Sequence, residues 1–233
     1  MRRGNGNARL DADKILTAAL AIADRHGLSG MTLRMVGAEL GADPTSIYRH
    51  FASKEALVAA MADRLFGEVA AADYPEDWRE RFIAIGRAAR HVYRSHPTIV
   101  DVLANQPEES PSLIAINELS IGCLVEAGLD PVQVGLFHQL LSSYVIGTGV
   151  LEASWDGFGD GARDASRRAY SALHPREYPN CVAFAWAMFP EADDVFEFAM
   201  GILLDAVTGL TAQAARAKKS AATASTTTTR KKA

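Results

Sequence analysis

The sequence lacks the features that mark a membrane-spanning or secreted protein. None of its 233 residues lie in a run approaching the roughly 18 uninterrupted apolar residues that a membrane span needs. The segment that follows Met1, RRGNGNARLDAD, is polar, so no secretory signal is expected. These absences favour a cytoplasmic protein that has no membrane partner.

Cysteine is also scarce. Cys123 and Cys181 lie far apart in the chain, in apolar surroundings. The pattern favours two buried thiols in a reducing compartment, and a redox switch between them remains the alternative.

The chain lacks the common catalytic and metal-binding motifs as well. It contains no Gly-rich phosphate loop with Lys-Ser/Thr, no Gly-x-Ser-x-Gly and no His-Glu-x-x-His. The DGFGDG segment at 156–161 suggests a calcium loop, but Phe158 and Arg167 occupy positions where oxygen ligands are required. We therefore expect no catalytic residues, no metal and no cofactor, and an all-helical enzyme stays as the alternative from a different class.

Positive charge is scarce in the middle of the chain. Residues 1–66 carry nine Lys and Arg against seven Asp and Glu, residues 67–215 carry nine against twenty-one, and residues 216–233 carry six against none. The overall charge of −4 therefore hides an acidic middle between two basic ends. A polyanion such as DNA would attract both ends and repel the middle.

Strand signals are nearly absent, and helical spacing of apolar residues recurs along the chain, which predicts an all-α fold. The most informative window is 32–57, TLRMVGAELGADPTSIYRHFASKEAL. Thr32 is a good N-cap for a first short helix, and Gly41 suits the left-handed residue that ends it. Asp43 and Pro44 fit the N-cap and first position of a second short helix, and Ser53 fits the N-cap of a third. The window predicts a helix-turn-helix followed at once by a longer helix.

The second short helix has an unusual outer face. Its inward positions are Ile47 and Phe51, and no long carboxylate lies among the residues between them. The outward residues are polar or aromatic: Thr45, Ser46, Tyr48, Arg49 and His50. Such a face suits contact with base edges and phosphates, although the same shape also occurs as ordinary packing in all-α proteins.

This stretch resembles the DNA-binding domain of the TetR (tetracycline-repressor-like) family of bacterial regulators. The resemblance covers about residues 11–66 and rests on Thr32, Arg34, Gly41, Tyr48, His50, Phe51 and Lys54. It implies a helix-turn-helix domain over 11–66 after a flexible arm at 1–10, and a helical effector-binding and dimerisation domain over 67–217. The basic segment 218–233 lacks apolar periodicity and is expected to be disordered.

The resemblance also implies the residues that would contact DNA. Base reading is expected from Arg34, Thr45, Ser46, Tyr48 and Arg49, in a segment Pro44–Phe51 that lies in the major groove. Phosphate contacts are expected from Lys54, with Tyr48 and His50 gripping phosphates or a thymine methyl. With Thr32 and Pro44 these residues form the predicted DNA-binding set.

Two later helices are apolar on more than one side, Val132–Leu151 and Val195–Leu210. Such a helix is buried on both faces, either within one core or against a second subunit. The family resemblance favours a homodimer. Candidate interface residues are Leu140, Val145, Phe198, Ile202, Leu203 and Val207.

The implied function is a homodimeric repressor that a small hydrophobic or aromatic effector releases from a palindromic double-stranded DNA operator. Such a protein is cytoplasmic and associates with the nucleoid when bound. Candidate effector-binding residues are Phe82, Tyr93, Leu103, Asn117, Ile121, His138 and Tyr144. Ordinary core packing is the competing interpretation for each of them, and a dimeric regulator without a small-molecule effector is the alternative function.

Overall fold

The computed structural model describes residues 11–99, 102, 110–156 and 161–230, and every regular element in these ranges is a helix. The predicted all-α fold is confirmed. The α-helices are α1 (Ala12–Gly30), α2 (Leu33–Glu39), α3 (Pro44–Tyr48), α4 (Lys54–Ala70), α5 (Trp78–Ser95), α6 (Pro111–Glu126), α7 (Pro131–Asp156), α8 (Ala162–Ser171), α9 (Pro179–Phe184) and α10 (Ala192–Arg230). Short 3-10 turns lie at Pro97–Ile99 and Ala185–Ala187.

The helices form two compact units. Unit 1 comprises the described residues up to Ala72 together with those of Ala88–Asn117 and Gly149–Ser154. Unit 2 comprises Asp73–Arg87, Glu118–Thr148 and the described residues from Trp155 on. The helices predicted to form a DNA-binding domain over 11–66 thus share a unit with segments from much later in the chain.

The core of unit 1 begins with α1. Asp11 caps this helix by accepting a hydrogen bond from the Lys14 backbone N–H at 2.9 Å. The inner side of α1 supplies fully buried apolar residues, as its spacing predicts, namely Ile15, Ala19, Ile22 and Ala23. Gly27 interrupts the helix with a φ of 72°, which glycine adopts without strain. The 3-10 turn Pro97–Ile99 packs against α1 and buries Ile99.

Unit 2 is centred on α10. One side of this helix is buried within the chain and consists of Phe196, Met200, Leu204 and Val207. Two ion pairs join α10 to the part of α5 that belongs to unit 2, Trp78–Arg87. Arg79 Nη2 lies 2.7 Å from Asp205 Oδ1, and the Arg87 guanidinium donates two hydrogen bonds to the Glu197 carboxylate, at 2.5 and 2.6 Å.

The last helix is longer than the sequence predicts. The pattern places its end near residue 217 and predicts disorder from 218 on, but α10 continues to Arg230. Residues 216–222 read RAKKSAA, and alanine, lysine and arginine are strong helix formers. Absence of apolar periodicity argues against burial, and it does not prevent a helix over 216–222, where local propensity favours one. Propensity does not explain the continuation through 223–229, which reads TASTTTT.

By length and composition alone, Pro131–Trp155 of α7 and Ala192–Ala217 of α10 are apolar enough to cross a membrane. In each, only 22% of the most apolar window is buried within the chain. The core of one chain therefore does not account for the apolar character of either helix.

Candidate nucleic-acid interface

The helix-turn-helix of unit 1 is built from local caps. Thr32 Oγ1 accepts a hydrogen bond from the Met35 N–H at 3.2 Å and so starts α2. Asp43 Oδ1 accepts from the Thr45 N–H at 2.8 Å and starts α3, in which Pro44 is the first residue. Hydrogen bonds from the Thr45 side chain and then its backbone hold the pKa of Asp43 below its usual value. The caps predicted from the sequence are therefore those that the structure uses.

Two glycines allow the turn between α2 and α3. Gly41 has a φ of 60°, as predicted from its position after Leu40. Gly37 was not singled out from the sequence. A Cβ atom at Gly37 would lie 3.1 Å from the carbonyl oxygen of Ala42 and 3.5 Å from the backbone of Pro44. This tertiary approach has no local sequence signal, because Gly37 lies inside a helix where a turn glycine is not expected.

Helix α3 has one inward residue and a polar exterior. Ile47 is fully buried, whereas Tyr48 is 54% exposed. Six of the nine predicted DNA-binding residues are exposed, namely Thr32, Arg34, Thr45, Tyr48, Arg49 and His50. The other three, Pro44, Ser46 and Lys54, are half-buried. Arg34 and Arg49 form no ion pair within 4.0 Å in the described part of the chain, and Arg49 lies close enough to Asp43 to help lower the pKa of that carboxyl. Their guanidinium groups are therefore available to an external anion or base.

Some of these side chains already have partners in the protein. The Thr45 hydroxyl donates to Asp43, and the Thr32 hydroxyl accepts the capping bond of α2. Lys54 Nζ donates to the carbonyl oxygen of Leu28 at 2.5 Å and ties the start of α4 to the end of α1. An ammonium group has three donors, so this bond leaves two for a phosphate.

The predicted effector-binding residues are divided between the two units. Tyr93 and Asn117 belong to unit 1, and Phe82, Ile121, His138 and Tyr144 belong to unit 2; Leu103 lies outside the described residues. Tyr93 is buried, its ring meets that of Phe66 edge to face at 5.6 Å, and burial raises its pKa. The structure accounts for Tyr93 as core packing of unit 1.

His138 and Tyr144 are the polar candidates within unit 2. The Tyr144 ring stacks on Phe196 at 5.8 Å, and its hydroxyl donates to the Val195 carbonyl at 3.2 Å. The Nε2 atom of His138 is buried and has no hydrogen-bond partner among the described residues. Burial lowers the pKa of this imidazole, so its neutral form is favoured at pH 7. A buried nitrogen without a hydrogen bond lowers the stability of the folded protein. Among the candidates, His138 would therefore gain most stabilisation from a hydrogen bond to a ligand.

The predicted dimer-interface residues also separate into two groups. Phe198 is 72% exposed, Ile202 53% and Leu140 49%, and Leu203 is half-buried. Val145 and Val207 are instead buried within the single chain, so their side chains are not part of the exposed apolar surface. Both helices are apolar on two sides, so spacing alone does not show which side faces the chain's own core. On α7 and α10, the exposed large apolar residues that the prediction does not include are Val132, Leu136, Leu151, Trp155 and Val195.

Comparison with known proteins places this geometry in a family. Residues 15–61 match the family profile "Bacterial regulatory proteins, tetR family", and residues 71–213 match "Tetracyclin repressor-like, C-terminal domain". An HTH-type transcriptional regulator of Saccharopolyspora erythraea is 31% identical over 147 residues, which cover 63% of this chain and 62% of that relative. The chain therefore spans less than two thirds of that relative's length.

Two solved structures share the fold. ActR from Streptomyces coelicolor, in complex with actinorhodin, aligns with a TM-score of 0.73 and 23% identity over 88% of this chain and 99% of that one. Mycobacterium smegmatis BioQ, solved with its double-stranded DNA operator, aligns with a TM-score of 0.60 and 24% identity over 86% and 99%. With its capped helix-turn-helix and a family match that extends from residue 15 to residue 213, the chain belongs to the TetR family of bacterial regulatory proteins.

Proposed function

We propose that the protein is a homodimeric transcriptional repressor that binds a palindromic operator through α3. The observation that carries this is the one-sided burial of α3, in which Ile47 is fully buried and Thr45 and Tyr48 are exposed. Proteins of this family are DNA-binding regulators rather than enzymes. The protein acts in the cytoplasm and associates with the nucleoid when operator-bound.

Within each half-site, α3 lies in the major groove. Arg34, Thr45, Ser46, Tyr48 and Arg49 read bases, and Arg34 suits the O6 and N7 acceptors of guanine. Lys54, His50 and the Thr32 hydroxyl hold phosphates, which fixes register without reading sequence. The exposure of Arg34 and Arg49 supports this division, because both side chains reach the surface of the helix-turn-helix.

Dimerisation is proposed through the outward apolar residues of α7 and α10. On α7 these residues are Val132, Leu136, Leu140 and Leu151, which are spaced by four, four and eleven positions. On α10 they are Val195, Phe198 and Ile202, which are spaced by three and four positions. Fully burying one such side chain stabilises an assembly by about 1.5–3 kcal/mol. A second copy would bury this surface, and sedimentation of the detergent-free protein as a dimer distinguishes this assembly from membrane insertion.

The proposed regulator is a small hydrophobic or aromatic effector that binds in unit 2. Phe82, Ile121 and Tyr144 supply apolar and aromatic surface, and His138 supplies the unpaired nitrogen. The crystallised complex of ActR with actinorhodin gives this proposal indirect support from the same fold. An effector must favour a dimer whose recognition helices no longer match the half-sites. If no compound in a ligand screen releases operator DNA, the alternative of a regulator without a small-molecule effector is favoured.

The deciding experiment is selection of bound sequences from random DNA by the purified full-length protein. We expect an inverted repeat whose half-site centres lie about 34–36 Å apart, one helical turn of B-DNA. Enrichment of no sequence, or of a single unrepeated site, contradicts the proposal.

A further inference from the structure

A polar junction inside unit 1 joins α4 to the first turn of α6. Asp63 Oδ1 accepts a hydrogen bond from Ser110 Oγ at 2.5 Å and one from the Ser112 backbone N–H at 3.1 Å. Ser112 Oγ donates a further hydrogen bond to the Asp63 carbonyl oxygen at 2.7 Å. We call these three residues the Asp63 junction. Both serines are buried, so none of these bonds is a freely solvated surface contact.

The junction places a carboxylate where α6 needs one. The first N–H groups of a helix have no partner within it, and its N-terminal end favours negative charge. Ser110 precedes α6 at the N-cap position. Asp63, which lies 49 residues before Ser112 in the sequence, accepts a hydrogen bond from the Ser112 N–H in the first turn of α6. Burial alone would raise the pKa of Asp63, but hydrogen bonds from Ser110 and Ser112 outweigh it and lower the net pKa. The group is therefore ionised at neutral pH.

The next turn of α4 tightens the same contact. A Cβ atom at Gly67 would lie 3.3 Å from Ser112 Oγ, so α4 and the start of α6 approach closely there. On another side of α4, Phe66 packs edge to face against Tyr93 of α5. Helix α4 is thus held by a polar contact to α6, an aromatic contact to α5, and hydrogen bonds from Arg64 to Asp13 and Thr17 near the start of α1.

Helix α4 begins three residues after Phe51, the end of the proposed DNA-reading segment. It spans 17 residues, about 25 Å at roughly 1.5 Å per residue, and its interior is helical throughout. A rotation of α4 by about 5° would move its far end by roughly 2 Å over that length. The direction in which α3 points therefore depends on what fixes the second half of α4, where Asp63 lies.

We propose that Asp63 is a positioning residue for operator binding: through Ser110 and Ser112 it fixes the direction of α4 and thereby the spacing between the two recognition helices of the dimer. The role rests on the proposed function. In this role Asp63 does not contact DNA. It sets the distance between the two half-sites that the dimer can bind together. Loss of the junction should consequently affect spacing selectivity before it affects the affinity for a single half-site.

The test compares the full-length protein with Asp63→Ala on three DNAs: the selected operator, versions with one base pair added to or removed from the spacer, and an isolated half-site. For Asp63→Ala we expect affinity for the operator to fall about tenfold, within the range of typical coupling between sites. Discrimination against altered spacers should also fall, whereas half-site affinity should change less than about twofold. Glu68→Ala is the matched control, because Glu68 is an exposed acid on the same helix, and it should behave as wild type.

Ser112→Ala provides a second variant that keeps the carboxylate and its capping bonds but loses the hydrogen bond to the Asp63 carbonyl. It should shift spacing selectivity in the same direction by a smaller amount, and it carries the test if Asp63→Ala does not fold. Unchanged spacing selectivity in the folded variants overturns the positioning role. An equal loss on half-site and operator also overturns it, because that result indicates a purely structural cap. If the wild-type protein selects no inverted repeat, the proposed function fails, and the positioning role fails with it.

Discussion

Helices α3 and α10 both present residues to a proposed partner, but they are built in opposite ways. Helix α3 has five residues, of which one is buried, and its outer face is polar. Helix α10 has 39 residues and is apolar on two sides, one buried in the chain and one exposed. A short one-sided helix depends on caps and close backbone packing for its position. A long two-sided helix depends on apolar burial, and only part of that burial occurs within one chain.

Introducing a charge on the outer side of α10 should have the largest effect. Phe198→Glu would place a carboxylate inside the proposed apolar interface of each subunit, where an uncompensated buried charge costs about 3–5 kcal/mol. We expect a folded monomer by analytical ultracentrifugation, with loss of operator binding. Gln213→Glu adds the same charge at an exposed polar position of α10 and should remain dimeric. A Phe198→Glu variant that is still a dimer at micromolar concentration contradicts the interface.

On the inner side of the same helix, Phe196→Ala tests the core instead of the interface. Phe196 is fully buried and stacks on Tyr144, so its truncation should lower the free energy of unfolding by about 3–5 kcal/mol. Chemical denaturation measures this loss. Phe198→Ala, two residues away and 72% exposed, should by comparison make the melting temperature depend more strongly on protein concentration. Equal effects of the two truncations would remove the distinction between the two sides of α10.

In the helix-turn-helix, Gly37→Ala tests the backbone packing that positions α3. The added Cβ atom would meet the Ala42 carbonyl at 3.1 Å, and overpacking of this kind costs about 1–3 kcal/mol. We expect lower thermal stability together with weaker operator binding. Gly41→Ala has open space around its Cβ but a φ of 60°, so its cost should be about 1–2 kcal/mol of backbone strain. If Gly37→Ala is as stable as wild type, close approach at Gly37 does not position α3.

Within the DNA-binding face, Arg34→Ala and Lys54→Ala should separate base reading from phosphate binding. Arg34→Ala should cost about 1–3 kcal/mol and relax the preference at one operator position. Lys54→Ala should weaken binding to all sequences alike and lower the salt slope by about 1. It should also destabilise the protein slightly, because the bond to the Leu28 carbonyl is lost. Titrations on operator and random DNA at several salt concentrations measure both effects, and equal losses on the two DNAs for both variants would contradict the assignment.

The same contrast explains how much could be predicted from the sequence. The helix-turn-helix was predictable because its signals are local: Thr32, Asp43 and Ser53 cap helices within three residues of their partners, and Gly41 ends one. The inner and outer sides of α10 were not separable, because both carry apolar residues at helical spacing. Val207 was consequently assigned to the interface, although it lies in the core.

Contacts between distant segments left no sequence signal at all. Gly37 reads as an ordinary helical residue until α3 packs against it, and Asp63 reads as a solvated charge until Ser110 and Ser112 meet it from 47 and 49 residues away. The effector candidates rest on residue type alone, since they are apolar, aromatic, or polar within an apolar run. Those properties are the same in a packed core, where the structure places Tyr93.

The one-sided burial of α3 also bears on how new DNA specificities can arise. Because Ile47 is the only one of its five residues that is buried, substitutions at the exposed positions Thr45 and Tyr48 leave the core of unit 1 untouched. Surface substitutions of this kind usually change stability by less than about 0.5 kcal/mol. The recognition surface can therefore diverge, by gene duplication or in a combinatorial library, at little cost to folding. Position 37, which is buried against Ala42 and Pro44, would tolerate far less change.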